Sequence, residues 1–184
     1  PAEYMLHAKG YQPLGKRVFE KADFYLRRGN RKRLARLLRR HRYLLNSQNS
    51  ILVYRAVWQC KKMLPWLLAQ GVHPDCKMYA TDNTPLMSAA SDGDLSTMRL
   101  LLDHGADPNA RNGNNEVPLG YACSYEQWEA AKLLIECGAD VNGIERDEMT
   151  HLDWMTIGNR EPGIQVLRSF GGLLYAELHQ TKSM

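Results

Sequence analysis

The side chains best suited to chemistry in this 184-residue sequence are six histidines and four cysteines, and their spacing argues against catalysis. A serine or cysteine nucleophile needs a histidine base held beside it, and a structural zinc site needs paired ligands. Cys60, Cys76, Cys123 and Cys137 include no C-x-x-C pair, and no histidine spacing completes a zinc set. No glycine-rich phosphate loop follows a strand-like run; Gly113 beside Asn114 and Asn115 reads as a loop tip. The expectation is therefore a chain without catalytic residues, metal or cofactor, and with no small-molecule substrate. Unpaired cysteines fit a reducing compartment, so a cytoplasmic location is expected. The chain starts at Pro1, so upstream residues are expected to have been trimmed.

What remains is binding chemistry, carried by arginines and exposed aromatics. The formal net charge of +4 conceals a polarity. Residues 1–74 hold 16 Lys plus Arg against three acids, a net of +13, whereas residues 75–184 hold 8 against 17, a net of −9. Nine of the basic residues lie between Arg27 and Arg42. If Arg31 to Arg40 forms a helix, Leu34, Leu37 and Leu38 share its apolar face and Lys32, Arg36, Arg39 and Arg40 gather on the opposite side. Nine like charges repel one another, which a purely structural cap does not need. No interleaved aromatics accompany them, which argues against base stacking but leaves phosphate contact open. Apolar runs are too short to span a bilayer.

These residues are positioned by a repeat. Thr84-Pro85-Leu86, Val117-Pro118-Leu119 and Thr150-His151-Leu152 stand 33 residues apart, in register with Ala89, Ala122 and Met155, with Leu101, Leu134 and Leu167, and with Gly105, Gly138 and Gly171. Leu95, Met98, Leu101 and Leu102 give a helical apolar stripe, Gly93-Asp94 breaks the chain before it, and Gly105 supplies a left-handed residue after it. The T-P-L start and the 33-residue period resemble the ankyrin repeat family. The resemblance implies an all-α ankyrin repeat solenoid of about five helix-turn-helix units at 16–45, 46–78, 79–111, 112–144 and 145–178. The N- and C-terminal units are degenerate caps, between an extension at 1–15 and a tail at 179–184. In this register His73-Pro74-Asp75 overlies Asp107-Pro108-Asn109, an ordinary loop between units. The ending Gly171-Gly172 to Glu177-Leu178 resembles small stand-alone bacterial members and implies a bacterial source.

Members of this family bind partners through their finger tips and the concave face of the inner helices. Carried over by position, the fingers run near 47–50, 79–83, 112–116 and 145–149. The resemblance thus implies partner contacts at Arg27, Arg28, Trp58, Gln59, Tyr79, Asp92, Asn114, Glu116 and Tyr125, beside the basic patch of Lys32, Arg36, Arg39 and Arg40. Trp58 and Tyr125 are the expected anchors, since aromatics and arginine dominate interfaces. Trp66 and Trp128 align with leucines and are expected in the core, and burial is also expected for Trp154. The function implied is non-catalytic recognition, by a chain monomeric on its own, of a protein with an acidic surface. Two alternatives stand beside it: a polyanion such as nucleic acid on the arginine-rich unit, or an immunity protein neutralising a cognate toxin.

Overall fold

The computed structural model describes residues 13–45, 52–77, 82–145 and 149–180, with the side chains of residues 13–16 and 43 excepted. Eleven α-helices run through these residues, with no strand among them. The chain divides into two compact units, residues 1–85 and 86–184.

In the first unit α1 (Pro13–Arg27) and α2 (Arg31–Arg40) form an antiparallel pair, and α1 also packs on α3 (Leu52–Gln59), which packs on α4 (Leu64–Ala69). Gly29, with φ of 63°, turns the chain between α1 and α2. The Asn30 side chain then caps α2 by accepting the Arg33 N–H at 3.1 Å. Leu34 and Leu38 are buried, as are Ala22 and Leu26 of α1, while Leu37 is only half-buried. Lys32, Arg36, Arg39 and Arg40 are all exposed, as the apolar stripe requires. At 15 residues, α1 is about twice the length of the inner helices of the second unit. No T-P-L turn stands before it to set its start.

The second unit holds the regular repeats. Inner helices α5 (Pro85–Ser91, whose first residue belongs to the first unit), α7 (Pro118–Ser124) and α9 (His151–Ile157) alternate with outer helices α6 (Leu95–Asp103), α8 (Trp128–Glu136) and α10 (Glu161–Ser169). A last helix, α11 (Tyr175–Gln180), follows. Leu86, Ala89 and Ala90 are buried on α5, Leu119, Ala122 and Cys123 on α7, and Leu152 and Met155 on α9. Leu101, Leu134 and Leu167 are fully enclosed on the outer helices, each contributing roughly 1.5–3 kcal/mol by burial. Left-handed residues recur with the period: Gly105, Gly138 and Gly171 close the outer helices, and Gly93, Glu126 and Asn159 turn between helices.

The loops are tied by one device used twice. Asn109 donates from Nδ2 to the Gly138 carbonyl at 2.9 Å and accepts the Asp140 N–H on Oδ1 at 2.8 Å. Thirty-three residues on, Asn142 donates to the Gly171 carbonyl at 3.3 Å and accepts the Leu173 N–H at 2.7 Å. Each asparagine thus satisfies backbone groups of the following loop and fixes the stacking of successive repeats.

Candidate functional site

Each unit presents aromatic side chains that packing leaves in solvent. On the first, Trp58 at the end of α3 is 61% exposed, its ring stacked at 6.2 Å on the buried Tyr54. Phe24 of α1 is 49% exposed, with the Arg28 guanidinium 4.8 Å from its ring centre. Arg27 pairs with Asp23 at 2.8 Å, and the same carboxylate stands 3.8 Å from Arg55 of α3, tying the two helices together. Arg27 therefore ends α1 and Arg28 begins the turn after it, while Trp58 and the exposed Gln59 lie on the last turn of the helix packed beside α1.

On the second unit the finger before α7 is organised by Asn112, which is almost fully buried. Its Oδ1 accepts the N–H groups of Asn114 and Glu116, both at 2.9 Å, and its Nδ2 donates to Glu116 Oε2 at 2.8 Å. The Tyr121 hydroxyl donates to the same carboxylate oxygen at 3.1 Å. Glu116, expected as a partner contact, is thus half-buried and held inside its own finger. Asn114 and Asp92 are exposed, and so is Tyr125 at 60%.

The helix starts explain what lies between α7 and α9. Thr150 caps α9 in a full capping box with Asp153: Thr150 Oγ1 accepts the Asp153 N–H, and Asp153 Oδ2 accepts the Thr150 N–H at 2.8 Å. Val117, at the threonine position of α7, offers no side-chain acceptor, as its type dictates. Glu145 serves it instead from the next repeat, Oε1 accepting the Val117 N–H at 2.8 Å. Gly120 stands where Asp153 stands in α9, and a Cβ there would collide with the Glu145 carboxylate. The missing side chain admits the carboxylate that replaces it.

Beside this arrangement is a recess of about 400 Å³, walled by Tyr121, Ser124 and Tyr125 on one side and by Trp154 and Met155 on the other. Glu116 and Glu145 bring two carboxylates to it, and Cys123 and His151 complete the lining with Gly120. Burial, aided by the Glu145 charge and opposed by Arg160, pushes the Cys123 thiol up to about 12. His151 is pushed down to about 4 by burial, against the pull of Asp140 and with Arg111 adding to the depression. Its Nε2 has no hydrogen-bond partner among the described residues. A thiol and an imidazole held neutral in this way are packing groups at pH 7, not an activated nucleophile and base.

Three tryptophans depart from expectation. Trp154 is 41% exposed, not buried, because it lies about 200° round α9 from the buried Leu152 and so faces the recess. Trp66 and Trp128 are half-buried, not fully in the core; the Trp128 ring packs against Gly163, where a Cβ would stand 2.7 Å from it. Phe24 and Ile157, both exposed, were not singled out by the repeat register. Tyr79, most of the fingers at 47–50 and 79–83, and residues 146–148 of the last finger lie outside the described residues, as do 1–12 and 181–184. No cluster of His, Cys, Asp and Glu able to hold a metal occurs among the described residues. No described helix is long and apolar enough to cross a membrane.

A family model for ankyrin repeats (3 copies) matches residues 53–145. The chain is 29% identical over 121 residues to the E3 ubiquitin-protein ligase KEG of Arabidopsis thaliana, covering 58% of this chain and 7% of the ligase. It is 36% identical over 73 residues to the ankyrin repeat-containing protein P1E11.10 of Schizosaccharomyces pombe, 40% of this chain and 35% of that protein. Alpha-latrocrustotoxin-Lt1a of Latrodectus tredecimguttatus is 30% identical over 140 residues, 75% of this chain and 10% of the toxin. The chain thus spans only 7–35% of the length of these relatives. They are eukaryotic, and give no support to the bacterial source implied by the C-terminal ending.

Proposed function

Because the chain belongs to the ankyrin repeat family, we propose that it is a non-catalytic recognition module that holds another protein on the exposed aromatics beside its inner helices. Ankyrin repeats are generally protein–protein interaction modules. The observation that carries the reading is the exposure of Trp58 and Tyr125, large rings left in solvent at the ends of well-packed helices. Burying such a ring against a partner removes apolar area from water, and aromatic and arginine anchors contribute most of the energy of protein interfaces. Gln59, Asp92 and Asn114 are exposed beside or between these anchors in the sequence, Arg28 is exposed just after the helix that packs on that of Trp58, and all four supply polar contacts that fix register. Glu116 acts through the finger that Asn112 organises around it, and its side chain lines the recess.

The test is capture of partners by the tagged chain from native lysate, with and without nuclease, alongside Trp58→Ala and Tyr125→Ala. Both side chains are mostly exposed, so the variants should keep the parent's melting temperature while losing about tenfold or more in partner affinity. Unchanged capture by the double variant sinks the reading.

A second reading is favoured by one observation. Lys32, Arg36, Arg39 and Arg40 are exposed on a helix without an acid, which suits a polyanion or an acidic protein face. Material that binds this helix and disappears with nuclease, with affinity falling steeply as salt rises, would make nucleic acid the ligand. Material that survives nuclease would leave the acidic protein face.

A further inference from the structure

The recess between α7 and α9 is lined at position 120 by a glycine. The same slot holds Met87 in α5 and Asp153 in α9, but glycine in α7. Met87 is fully buried, and the Asp153 side chain is spent on its own helix start and on the Tyr175 N–H. Glycine leaves room for Glu145, whose carboxylate, with that of Glu116, becomes part of the wall. The rings of Tyr121, Tyr125 and Trp154 line the same space.

Resting on the reading of the chain as a protein-recognition module, we propose that this recess receives an arginine side chain from a basic segment of the partner. Charge is the first reason. Residues 86–184 hold 15 acids against 7 Lys plus Arg, a net of −8, and no Lys or Arg lines the recess among the described residues. Arg160, which lies beside it, turns its Nη1 to the Ser124 carbonyl at 3.2 Å and to Glu126 at 3.7 Å. At the floor the Glu145 charge works against ionisation of the Cys123 thiol and Arg160 favours it, while Asp140 and Arg111 act in opposite senses on His151.

Shape and chemistry select the cation. A guanidinium is planar, stacks on aromatic faces and meets carboxylates through a fork of N–H donors, whereas an ammonium is a compact, strongly hydrated point charge. Tyr125 and Trp154, both substantially exposed, offer the faces, and the two glutamates offer the acceptors. A space of about 400 Å³ also admits the flanking backbone, so the ligand is a segment of chain and not a small cation.

The test uses the whole ¹⁵N-labelled chain and three blocked pentapeptides, Gly-Gly-X-Gly-Gly, with X arginine, lysine or citrulline, the neutral isostere of arginine. The readouts are the backbone amides of Gly120 and Tyr125 and the indole N–H of Trp154. Arginine should move all three, about tenfold more tightly than citrulline and several-fold more tightly than lysine, and should weaken as salt rises. Glu145→Gln keeps an acceptor for the Val117 N–H, so the variant should fold while losing at least about threefold in arginine affinity. Trp154→Ala, at an exposed ring, provides a second variant with the same expected loss. Citrulline binding as well as arginine, lysine binding better than arginine, or no movement of these signals at about 10 mM arginine peptide would overturn the proposal. So would movement of the same signals on diluting the protein alone, because the occupant would then be the arginine-rich helix of a second copy. Partner capture separates the two levels. If Trp58→Ala abolishes capture while the arginine peptide leaves the recess unmoved, the recess proposal fails and recognition stands. If arginine binds the recess but the chain captures no protein, it is the recognition reading that fails.

Discussion

Replacing His151 by proline should stabilise the second unit, and stabilise it more as the solution is made acid. Proline stands at this position in α5 and α7, as Pro85 and Pro118, in the first helical turn where no amide donor is lost. His151 instead buries an imidazole whose Nε2 has no partner among the described residues. At pH 7 both forms are neutral at this site. The exchange removes an unsatisfied buried group and restricts the unfolded chain, together worth about 1 kcal/mol or somewhat more. The pH dependence is the sharper test. Burial lowers the imidazole to about 4 from an ordinary 6.5, so between those values the unfolded chain binds a proton that the folded chain refuses. Stability contributed by the neutral imidazole is therefore complete above pH 6.5 and is lost as pH falls toward 4. The full loss is about 3 kcal/mol, of which about 2 kcal/mol has accrued by pH 5. His151→Pro escapes that loss. The gap between variant and parent should widen by about 2 kcal/mol from pH 7 to pH 5, or about 4–8 °C in melting temperature. Carboxylate titration is common to both proteins and cancels. The assay is urea unfolding at several pH values, with the His151 ring signal followed by NMR in the folded parent. A ring midpoint near 6.5, or a gap that is the same at pH 5 as at pH 7, would refute the reasoning.

Two further outcomes follow from the loops. Glu145→Ala should cost about 1 kcal/mol, because it removes the acceptor that serves the Val117 N–H, whereas Glu145→Gln should cost much less; thermal unfolding of the two variants compares them. Asn109→Ala removes both bonds to the loop at 138–140 and should cost about 1–2 kcal/mol, with faster hydrogen exchange at the Asp140 amide as the local signature.

The regular part of the fold was legible because backbone demands repeat with the period. Outer helices begin at Leu95, Trp128 and Glu161 and end at Asp103, Glu136 and Ser169, in the register set by Thr84-Pro85-Leu86 and by Gly105, Gly138 and Gly171. Exposure at Trp58 and Tyr125 also followed from slots where the repeat needs no particular residue. Trp154 was misjudged because membership of an inner helix does not say which side of that helix a residue takes. The role of Glu116 was hidden for a different reason: its partner Asn112 reads as one more polar loop residue until the finger closes around it. The first helix was the least legible, since without a turn motif nothing in the sequence limits its length to that of an inner helix.

Within one chain, copies of a repeat that share residues share a surface, so selectivity has to come from slots where the copies differ. The recess lies among such slots. Met87, Gly120 and Asp153 occupy one column, Ser88, Tyr121 and Trp154 the next, and Asp92, Tyr125 and Gly158 another. The residues at these positions in α7 and α9 deliver glycine, three aromatic rings and, through Glu145, a carboxylate that doubles as a helix cap. The buried columns around them, Leu86, Leu119 and Leu152 or Leu101, Leu134 and Leu167, stay apolar and nearly invariant across the three copies. On the proposed reading, stability and recognition are carried by different columns of the same period. Glu145 is the point at which they meet: its substitution by alanine should weaken the fold and the recess together, while glutamine should separate the two, keeping the cap and losing the charge.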